Sequence, residues 1–279
     1  MYDEKKIREL EQMVAKIRLN ILRLVGVGRP GHLGGSNSAA DIIAALYFSK
    51  IRYDAKNPKW ELRDRVIFSK GHAALCQYGA LAEMGVLSYE ALDDIKNIDA
   101  ILQGHPDMLR CPGIEANTGS LGQGLSISVG MAMGLRLDGT GNKVYCIMGD
   151  GELAEGQIWE AAMAAAKHKV DNIVGIVDRN MIQATGTVAE IFDSGDITAK
   201  FAAFGWETIE IDGHDIGQIL AALDKADAVK GKPTAIIAKT IKGKGVSFAE
   251  NTAAYHNGIL TQEQYDDAFG QLTAAVGGA

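Results

Sequence analysis

Two short polar motifs near the middle of the chain carry the residues best suited to bind a metal ion. The apolar runs 144–148 and 173–177 end in Gly-Asp-Gly and in Asp-Arg-Asn, respectively. Within these motifs Asp150 and Asn180 offer oxygen ligands, which Mg²⁺ prefers, and Mg²⁺ commonly shares its other positions between water and substrate phosphates. The two residues therefore predict a site for Mg²⁺ and a diphosphate, with Ca²⁺ and Mn²⁺ as alternative cations.

The sequence between these motifs predicts the elements that must position them. Asp150 and Asn180 are 30 positions apart (180 − 150 = 30), about the length of one βαβ crossover, and the alanine-rich stretch 156–167 predicts its helix. A right-handed crossover places the ends of both strands at the same edge of a parallel sheet, where open α/β sheets bind ligands. Gly149 and Gly151 have no side chain to block a phosphate, and the amides that open the next helix favour an anion.

Two other interpretations of the Gly-Asp-Gly motif have to be weighed. A dinucleotide-binding fold requires G-x-G-x-x-G directly after the first strand of a domain, whereas this motif begins past the middle of the chain. The motif is also compatible with a tight strand-to-helix turn in which Asp150 is only the N-cap. Asn180 and the histidines of the chain favour the diphosphate site over both alternatives.

Histidine is the second residue type with chemical potential in this sequence, because imidazole gives and takes protons near neutral pH. His168 is expected at a solvated helix end and His214 in a turn before a helix, and neither is assigned chemistry. The other four of the six histidines lie in loops that contain glycine or proline, in the motifs PGH, KGH, GHP and YHNG: His32, His72, His105 and His256.

The N-terminal part of the chain predicts helices. Apolar residues recur at helical spacing over 10–24, with charged residues on the opposite face, which indicates a long amphipathic helix. Segment 26–36 contains five glycines and one proline and is not expected to continue that helix. Ser36 suits the N-cap of a following helix that reaches about Lys50.

The strand pattern predicts one α/β domain over residues 1–279. Helical segments alternate with the apolar runs, and neither an internal repeat nor a linker-like segment is present. Such alternation indicates three αβα layers around a mainly parallel sheet. The predicted strands are 65–69, 144–148, 173–177, 207–211 and 234–240.

Composition excludes several classes of partner. The chain has 28 basic and 35 acidic residues and a formal charge of −7, so a nucleic acid or an anionic membrane surface is not expected as a partner. No apolar stretch reaches the ~18 residues of a spanning helix, and the N-terminus is charged where a signal peptide would be apolar. We expect a cytoplasmic protein whose three cysteines are reduced thiols, because they are odd in number and form no C-x-x-C pair.

Seven motifs in the same order resemble the N-terminal half of transketolase, most closely the separately encoded N-terminal subunit of split transketolases. Gly-Asp-Gly followed about thirty residues later by Asn also resembles the diphosphate-binding motif of thiamine diphosphate (ThDP) enzymes. The resemblance implies a ThDP-binding fold. The motifs are GRPGHLGGS (28–36), FSKGHAAL (68–75), QGHPD (103–107), TGSLGQGL (118–125), GDGELAEGQIWEA (149–161), VDRNMIQATG (177–186) and KTIKGKGVSFAEN (239–251).

The resemblance implies a role for each matching residue at the phosphate end of the cofactor. Asp150, Asn180 and the carbonyl oxygen of Ile182 would bind Mg²⁺. Gly151, with Gly149 beside it, and His72 would contact the diphosphate.

Other residues are implied at the ring end of the cofactor and at a subunit interface. Gly119 and Leu121 would approach the ring end. Glu155, which we also grouped with the cofactor-binding residues, and Glu160 match positions that the family uses between subunits, although both are compatible with exposed helix charges. The residues that would face the reactive thiazolium carbon, where sugar hydroxyl and carbonyl groups are polarised, are His32, His105 and His256.

Transketolase activity also needs a pyrimidine-binding domain with a glutamate and a further C-terminal domain, and no motif of either occurs in this sequence. The resemblance therefore implies an N-terminal subunit that is completed by a separately encoded C-terminal one, in an α2β2 heterotetramer. The implied reaction moves a two-carbon ketol unit from a ketose phosphate to an aldose phosphate.

Two alternatives to this function stay open. A 1-deoxyxylulose-phosphate synthase-like subunit fits less well, because such enzymes typically carry glycine where this chain has Glu155 and lack the GHPD loop, and pyruvate-type dehydrogenase subunits lack the three preceding histidine motifs. A non-catalytic ThDP-binding remnant is the other alternative. A remnant has no chemical need for Asp150, Asn180 and all four loop histidines.

Overall fold

The architecture consists of a parallel five-stranded sheet with helices on both faces. A computed structural model describes residues 2–278. The sheet has the strand order β2-β3-β4-β6-β5, with every neighbouring pair parallel, and β1 pairs with β7 in a separate antiparallel ribbon. The strands are β1 (Pro30–Gly31), β2 (Arg65–Phe68), β3 (Val144–Gly149), β4 (Ile173–Arg179), β5 (Glu207–Asp212), β6 (Thr234–Lys239) and β7 (Gly258–Ile259).

Eleven α-helices are described, together with short 3₁₀ turns at Gly71–Ala73, Gly151–Ala154 and Ala253–Tyr255. The α-helices are α1 (Glu4–Val25), α2 (Leu33–Ser38), α3 (Ala40–Ala45), α4 (Ala74–Glu83), α5 (Tyr89–Asp93), α6 (Gln123–Leu137), α7 (Gly156–Lys167), α8 (Val188–Ile191), α9 (Ile197–Ala203), α10 (Ile216–Ala228) and α11 (Gln262–Gly278).

Alternate residues of the strands face two separate hydrophobic cores. In β3, Tyr145 and Ile147 belong to the core formed with α1, α3, α4, α10 and α11, whereas Cys146 and Met148 belong to the core formed with α6, α7 and α9. Successive side chains of a strand point to opposite faces, so a sheet with helices on both sides has apolar residues at every position. The predicted three-layer α/β fold is confirmed.

Helix α1 forms where the apolar periodicity predicts it. The Asp3 carboxylate accepts a hydrogen bond from the Lys6 amide at 2.7 Å and so caps the N-terminus. The helix ends at Gly26, whose φ of 64° is open to glycine at little cost. The face that packs into the core carries Leu10, Val14, Ile17, Ile21 and Leu24.

The predicted strand-helix-strand unit is confirmed by the register of β3 and β4. Gly149 is opposite Asp178 in the parallel pair, so both strands end at the same edge of the sheet. A 3₁₀ turn stands between β3 and α7, which begins at Gly156. The crossover brings Asp150 and Asn180 to that common edge.

The prediction that Ser36 caps a helix running to Lys50 is wrong. Helix α2 begins at Leu33 with His32 as its N-cap, and the Ser36 hydroxyl lies inside it and donates to the His32 carbonyl at 2.7 Å. The chain then continues as α3 and a π-helical turn, Leu46–Lys50. Burial of the whole of α2 overrides the low helix propensity of its glycines.

No helix within residues 2–278 is long and apolar enough to cross a membrane.

All three cysteines are free and buried, and burial raises the pKa of the Cys111 thiol to about 12. These positions agree with the expectation of reduced thiols.

Candidate active site

A cavity of about 350 Å³ opens at the carboxyl edge of β3 and β4. Sequence analysis singled out eleven of its lining residues: His32, His72, His105, Gly119, Leu121, Gly149, Asp150, Gly151, Asn180, Ile182 and His256. It did not single out the other six: Gly35, Lys70, Glu152, Gln183, Ala184 and Lys242. The cavity gathers segments from both ends of the chain.

The four loop histidines lie together on one side of this cavity. The His32 ring centroid is 5.2 Å from that of His72, 5.5 Å from that of His256 and 6.3 Å from that of His105. The rings of His72 and His256 are 4.8 Å apart. Four loops that are distant in sequence thus present imidazoles to one small volume.

Burial and nearby cations keep these histidines in the neutral form at pH 7. Burial, with Lys96, His105 and Lys242 adding repulsion, lowers the pKa of His32 to about 4. Burial also lowers the pKa of His72 to about 2 and of His256 to about 3. The pKa of His105 is lowered by burial and by Lys96. Neutral imidazoles of this kind have one nitrogen that donates and one that accepts.

Hydrogen bonds from main-chain amides connect the side chains of Asp150 and Asn180 to the turn that contains Ile182. The Asp150 carboxylate accepts hydrogen bonds from the Met181 amide at 2.6 Å and from the Gly151 amide at 2.8 Å. The amide oxygen of Asn180 accepts from the Ile182 amide at 3.1 Å. Met181 has a φ of 64°, a conformation that costs of order 1–3 kcal/mol for a non-glycine residue. The strained turn allows Asn180 and Ile182 to line the same cavity.

Asp150 is compatible with both interpretations of its motif. It is the N-cap of the 3₁₀ turn Gly151–Ala154, as the simpler interpretation of the motif proposed, and it also lines the cavity. Burial raises the pKa of Asp150 to about 6, while the hydrogen bonds from Met181 and Gly151 act in the opposite direction. A divalent cation would favour the ionised carboxylate.

Lys70 is a buried cation that lines the cavity. Its ammonium donates to the Gly35 carbonyl at 2.8 Å and forms an ion pair with Asp178. Asp178 is fully buried and also accepts hydrogen bonds from Ser38 and Thr240. Burial by itself would raise the pKa of Asp178, but Lys70 and these donors hold it below its usual value.

Lys242 supplies a second cation next to the Ile182 carbonyl, one of the predicted metal ligands. Its ammonium donates to the Ile182 carbonyl at 2.7 Å and lies 2.9 Å from Nδ1 of His256. Burial and repulsion from Lys70 lower the pKa of Lys242 to about 8. Sequence analysis missed both lysines. The available signal was their place at the ends of predicted strands, beside a site for an anionic group.

Glu152 connects three of the loops that form the cavity. Its carboxylate accepts from the Gly122 amide at 2.9 Å, from the Gly149 amide at 3.1 Å and from the Ser69 hydroxyl.

Gly119 has a φ of 143°, and a Cβ there would lie 2.9 Å from the His105 ring. A side chain at Gly119 would therefore displace His105.

Glu155 and Glu160 lie outside the cavity. Glu155 is the exposed N-cap of α7, and Glu160 is exposed on the same helix. Glu155 is therefore not among the cofactor-binding candidates that line the cavity. An interface role for the two residues stays a prediction.

The donor set fits a magnesium diphosphate. The part of the chain that the structure describes contains no cluster of three or more His, Cys, Asp or Glu side chains that could hold a metal ion. The three predicted ligands instead offer one carboxylate, one amide oxygen and one carbonyl oxygen, which suits a hard cation that also binds phosphate oxygens. Lys70 and Lys242 bring ammonium groups to the same cavity.

A family model described as the transketolase, thiamine diphosphate binding domain matches residues 10–273. The chain belongs to this family. The transketolase domain therefore accounts for nearly the whole sequence, and the predicted resemblance is confirmed. Members of this family belong to an enzyme class that transfers aldehyde or ketone groups.

Similar proteins include single subunits of transketolases. The chain is 40% identical to the A subunit of the apulose-4-phosphate transketolase of Phocaeicola vulgatus, over 97% of this chain and 96% of that protein. It is 42% identical to the 6-deoxy-6-sulfo-D-fructose transketolase subunit SqwG of a Clostridium species, over 95% of this chain and 96% of that protein.

The fold is also shared with solved transketolases. The Campylobacter jejuni enzyme superposes with a TM-score of 0.87 at 32% identity, covering 98% of this chain and 43% of that chain. Human transketolase is 36% identical over 98% of this chain and 44% of its own length. The chain thus spans about two fifths of these longer enzymes and nearly the full length of the subunits named above.

Proposed function

We propose that this chain is the N-terminal, ThDP-binding subunit of a split transketolase that moves a two-carbon ketol unit from a ketose phosphate to an aldose phosphate. The observation that carries the proposal is the convergence of four neutral loop histidines on the cavity that contains Asp150 and Asn180. The similarity in length to transketolase subunits supports a divided enzyme.

In this proposal, the phosphate end of ThDP occupies the edge of β3 and β4. Asp150, Asn180 and the Ile182 carbonyl hold Mg²⁺, and Lys70 and Lys242 neutralise diphosphate charge. Gly151 lines the same cavity and has no side chain to block a phosphate, while its amide is used by the Asp150 carboxylate. When bound, ThDP supplies the carbon nucleophile of ketol transfer.

The histidines divide into two roles according to their position. His72 lies beside Lys70 and binds the diphosphate as a neutral donor. His32, His105 and His256 orient the hydroxyl and carbonyl groups of the sugar and move protons to and from them. Because their pKa values are lowered, all three rings are neutral at pH 7, and each offers one donor and one acceptor nitrogen to the sugar.

The proposal includes a partner polypeptide that carries the pyrimidine-binding half of the site, with two copies of each chain in the assembly. The naming of the similar proteins as subunits supports this division. An obligate interface of this kind is large and apolar. The start of α7, with Glu155 and Glu160, is the part of this chain that we expect to meet another subunit.

A reconstitution assay tests the proposed function. The purified chain, the candidate partner and their mixture are each assayed for ketol transfer with ThDP and Mg²⁺, in a preparation free of host transketolase. We expect turnover only in the mixture. Turnover by the chain alone would overturn the split arrangement, and a mixture that binds ThDP without any ketol transfer would favour the non-catalytic alternative.

A further inference from the structure

The turn that contains His214 is attached to the segment that carries Lys242. The Gly213 amide donates to the Lys239 carbonyl at 2.7 Å, and the Ile241 amide donates to Nε2 of His214 at 2.8 Å. A Cβ at Gly213 would lie 2.5 Å from the Thr240 side chain, so this close approach requires glycine. The turn and the strand end are thus held together at two adjacent points.

A buried charge pair fixes the orientation of the His214 ring. Nδ1 of His214 lies 2.8 Å from the Asp41 carboxylate, which also pairs with Arg18 at 2.5 Å. The exposed fractions of the three side chains are 14%, 9% and 10%. Since the Ile241 amide donates to Nε2, that nitrogen carries no proton, and Nδ1 donates to Asp41. Asp41 therefore selects the tautomer that accepts from Ile241.

The peptide held by His214 directly precedes Lys242. Lys242 has a long flexible side chain, and its ammonium must reach both the Ile182 carbonyl and His256. On the other side of Lys242, the Gly243 amide donates to the Gly34 carbonyl at 2.9 Å. The Asn251 amide donates to the Lys242 carbonyl at 2.9 Å, and the Lys244 amide donates to the Ile241 carbonyl at 3.2 Å. The segment thus has several anchors, and the one on the Ile241 amide is His214.

We propose that His214 is a positioning residue for the cofactor site: it holds the Ile241 peptide, in the tautomer set by Asp41, so that Lys242 is presented to the metal ligands and to His256. His214 itself does not line the cavity. The inference rests on the proposed function in one respect, which is that the cavity takes ThDP. Loss of the His214 acceptor weakens cofactor binding through Lys242 and not through the stability of the fold.

Two conservative variants separate the contact with Ile241 from the contact with Asp41. His214→Asn keeps a donor near Asp41 but is too short to reach the Ile241 amide, whereas His214→Gln keeps an acceptor for the Ile241 amide and gives up the donor to Asp41. His168→Asn, at the exposed end of α7, is the control for loss of a histidine. For the reconstituted enzyme we expect His214→Asn to weaken ThDP binding about 10-fold, the scale for outer-shell residues, and His214→Gln to stay near the unmodified affinity.

A double-mutant cycle tests whether His214 acts through Lys242. If it does, His214→Asn adds little to the loss of ThDP affinity already caused by Lys242→Met, because the two changes remove one shared interaction. Fully additive losses would overturn the proposal. It would also be overturned if His214→Gln binds ThDP as poorly as His214→Asn, since the restored acceptor would then have no effect.

Hydrogen exchange on the complete chain without cofactor supplies a readout independent of ThDP. We expect the Ile241 and Gly243 amides to exchange faster in His214→Asn than in the unmodified chain, and to be unchanged in His168→Asn. Unchanged protection of Ile241 in a folded His214→Asn chain would overturn the inference. If the unmodified holoenzyme fails to bind ThDP, the proposed function fails, and the exchange measurement still decides whether His214 holds the segment.

Discussion

The ammonium nitrogen of Lys242 lies 2.9 Å from Nδ1 of His256. An ammonium group has only donors, so Nδ1 of His256 accepts and the ring proton is on Nε2. The same ammonium donates to the carbonyl of Ile182. One cation therefore orients an imidazole expected near the reacting carbon and a carbonyl expected to bind Mg²⁺.

Replacement of this cation is predicted to change the titration of its neighbour. Burial is the main cause that lowers the pKa of His256 to about 3, and Lys242 is the next. In Lys242→Met the pKa of His256 should rise but stay below 6.5, because the burial remains. An NMR titration of the His256 ring measures this, with Lys244→Met as the control two positions away. A pKa of His256 that does not rise would contradict the assignment.

Asp150 is predicted to be essential for metal-dependent cofactor binding. Asp150→Asn keeps the size of the side chain but removes the only formal negative charge among the three predicted ligands, so ThDP affinity should no longer increase with Mg²⁺. Calorimetry on the assembled enzyme at several Mg²⁺ concentrations measures this. The exposed Asp138→Asn serves as the control. An unchanged Mg²⁺ dependence in Asp150→Asn would place the metal elsewhere.

The division of roles among the histidines is a separate prediction. His105→Ala and His256→Ala should retain ThDP but lower kcat by roughly 10²-fold, the scale for a lost proton-transfer group. His72→Ala should instead weaken ThDP binding, because His72 lies beside Lys70 at the diphosphate end. Steady-state kinetics at varied ThDP concentration separate the two effects. Identical behaviour of all three variants would argue against this division.

The buried histidines predict that the cofactor-free chain loses stability on acidification. The pKa values of His32, His72 and His256 are lowered to about 4, 2 and 3, while unfolded histidine titrates near 6.5. Below pH 6.5 the unfolded chain therefore binds more protons, and the free energy of unfolding decreases by about 1.4 kcal/mol per pH unit for each net proton. The Asp150 carboxyl group, whose pKa is raised to about 6, binds a proton in the folded chain before it does so in the unfolded chain, and this offsets one of the protons taken up by the unfolded histidines.

Urea unfolding at pH 7 and pH 5 measures that loss of stability. His72→Gln removes the most strongly shifted histidine and should reduce the difference in unfolding free energy between the two pH values. His168→Gln, which changes an exposed histidine, should leave the difference as it is. Equal stability of the unmodified chain at both pH values would show that the histidines titrate normally in the folded state.

Local sequence determined the parts of this protein that depend on short-range rules. Strands β3 and β4 and helix α7 follow from apolar runs and an alanine-rich stretch, and the handedness of a parallel crossover then brings Asp150 and Asn180 to one edge. The four loop histidines were identifiable because glycine or proline beside each of them breaks regular structure. Ser36 was misjudged because burial of α2 outweighed propensity.

Only the tertiary structure decided which distant residues meet. Lys70 pairs with Asp178 across 108 positions of sequence, and Asp41 meets His214 across 173. Nothing in the local pattern around a lysine or a histidine indicates such a partner, because these contacts depend on how α3, the sheet and the turn after β5 pack together. The sequence alone thus located the predicted metal ligands and the loop histidines, whereas packing revealed the two lysines beside them and the contact of His214 with the segment that carries one of these lysines.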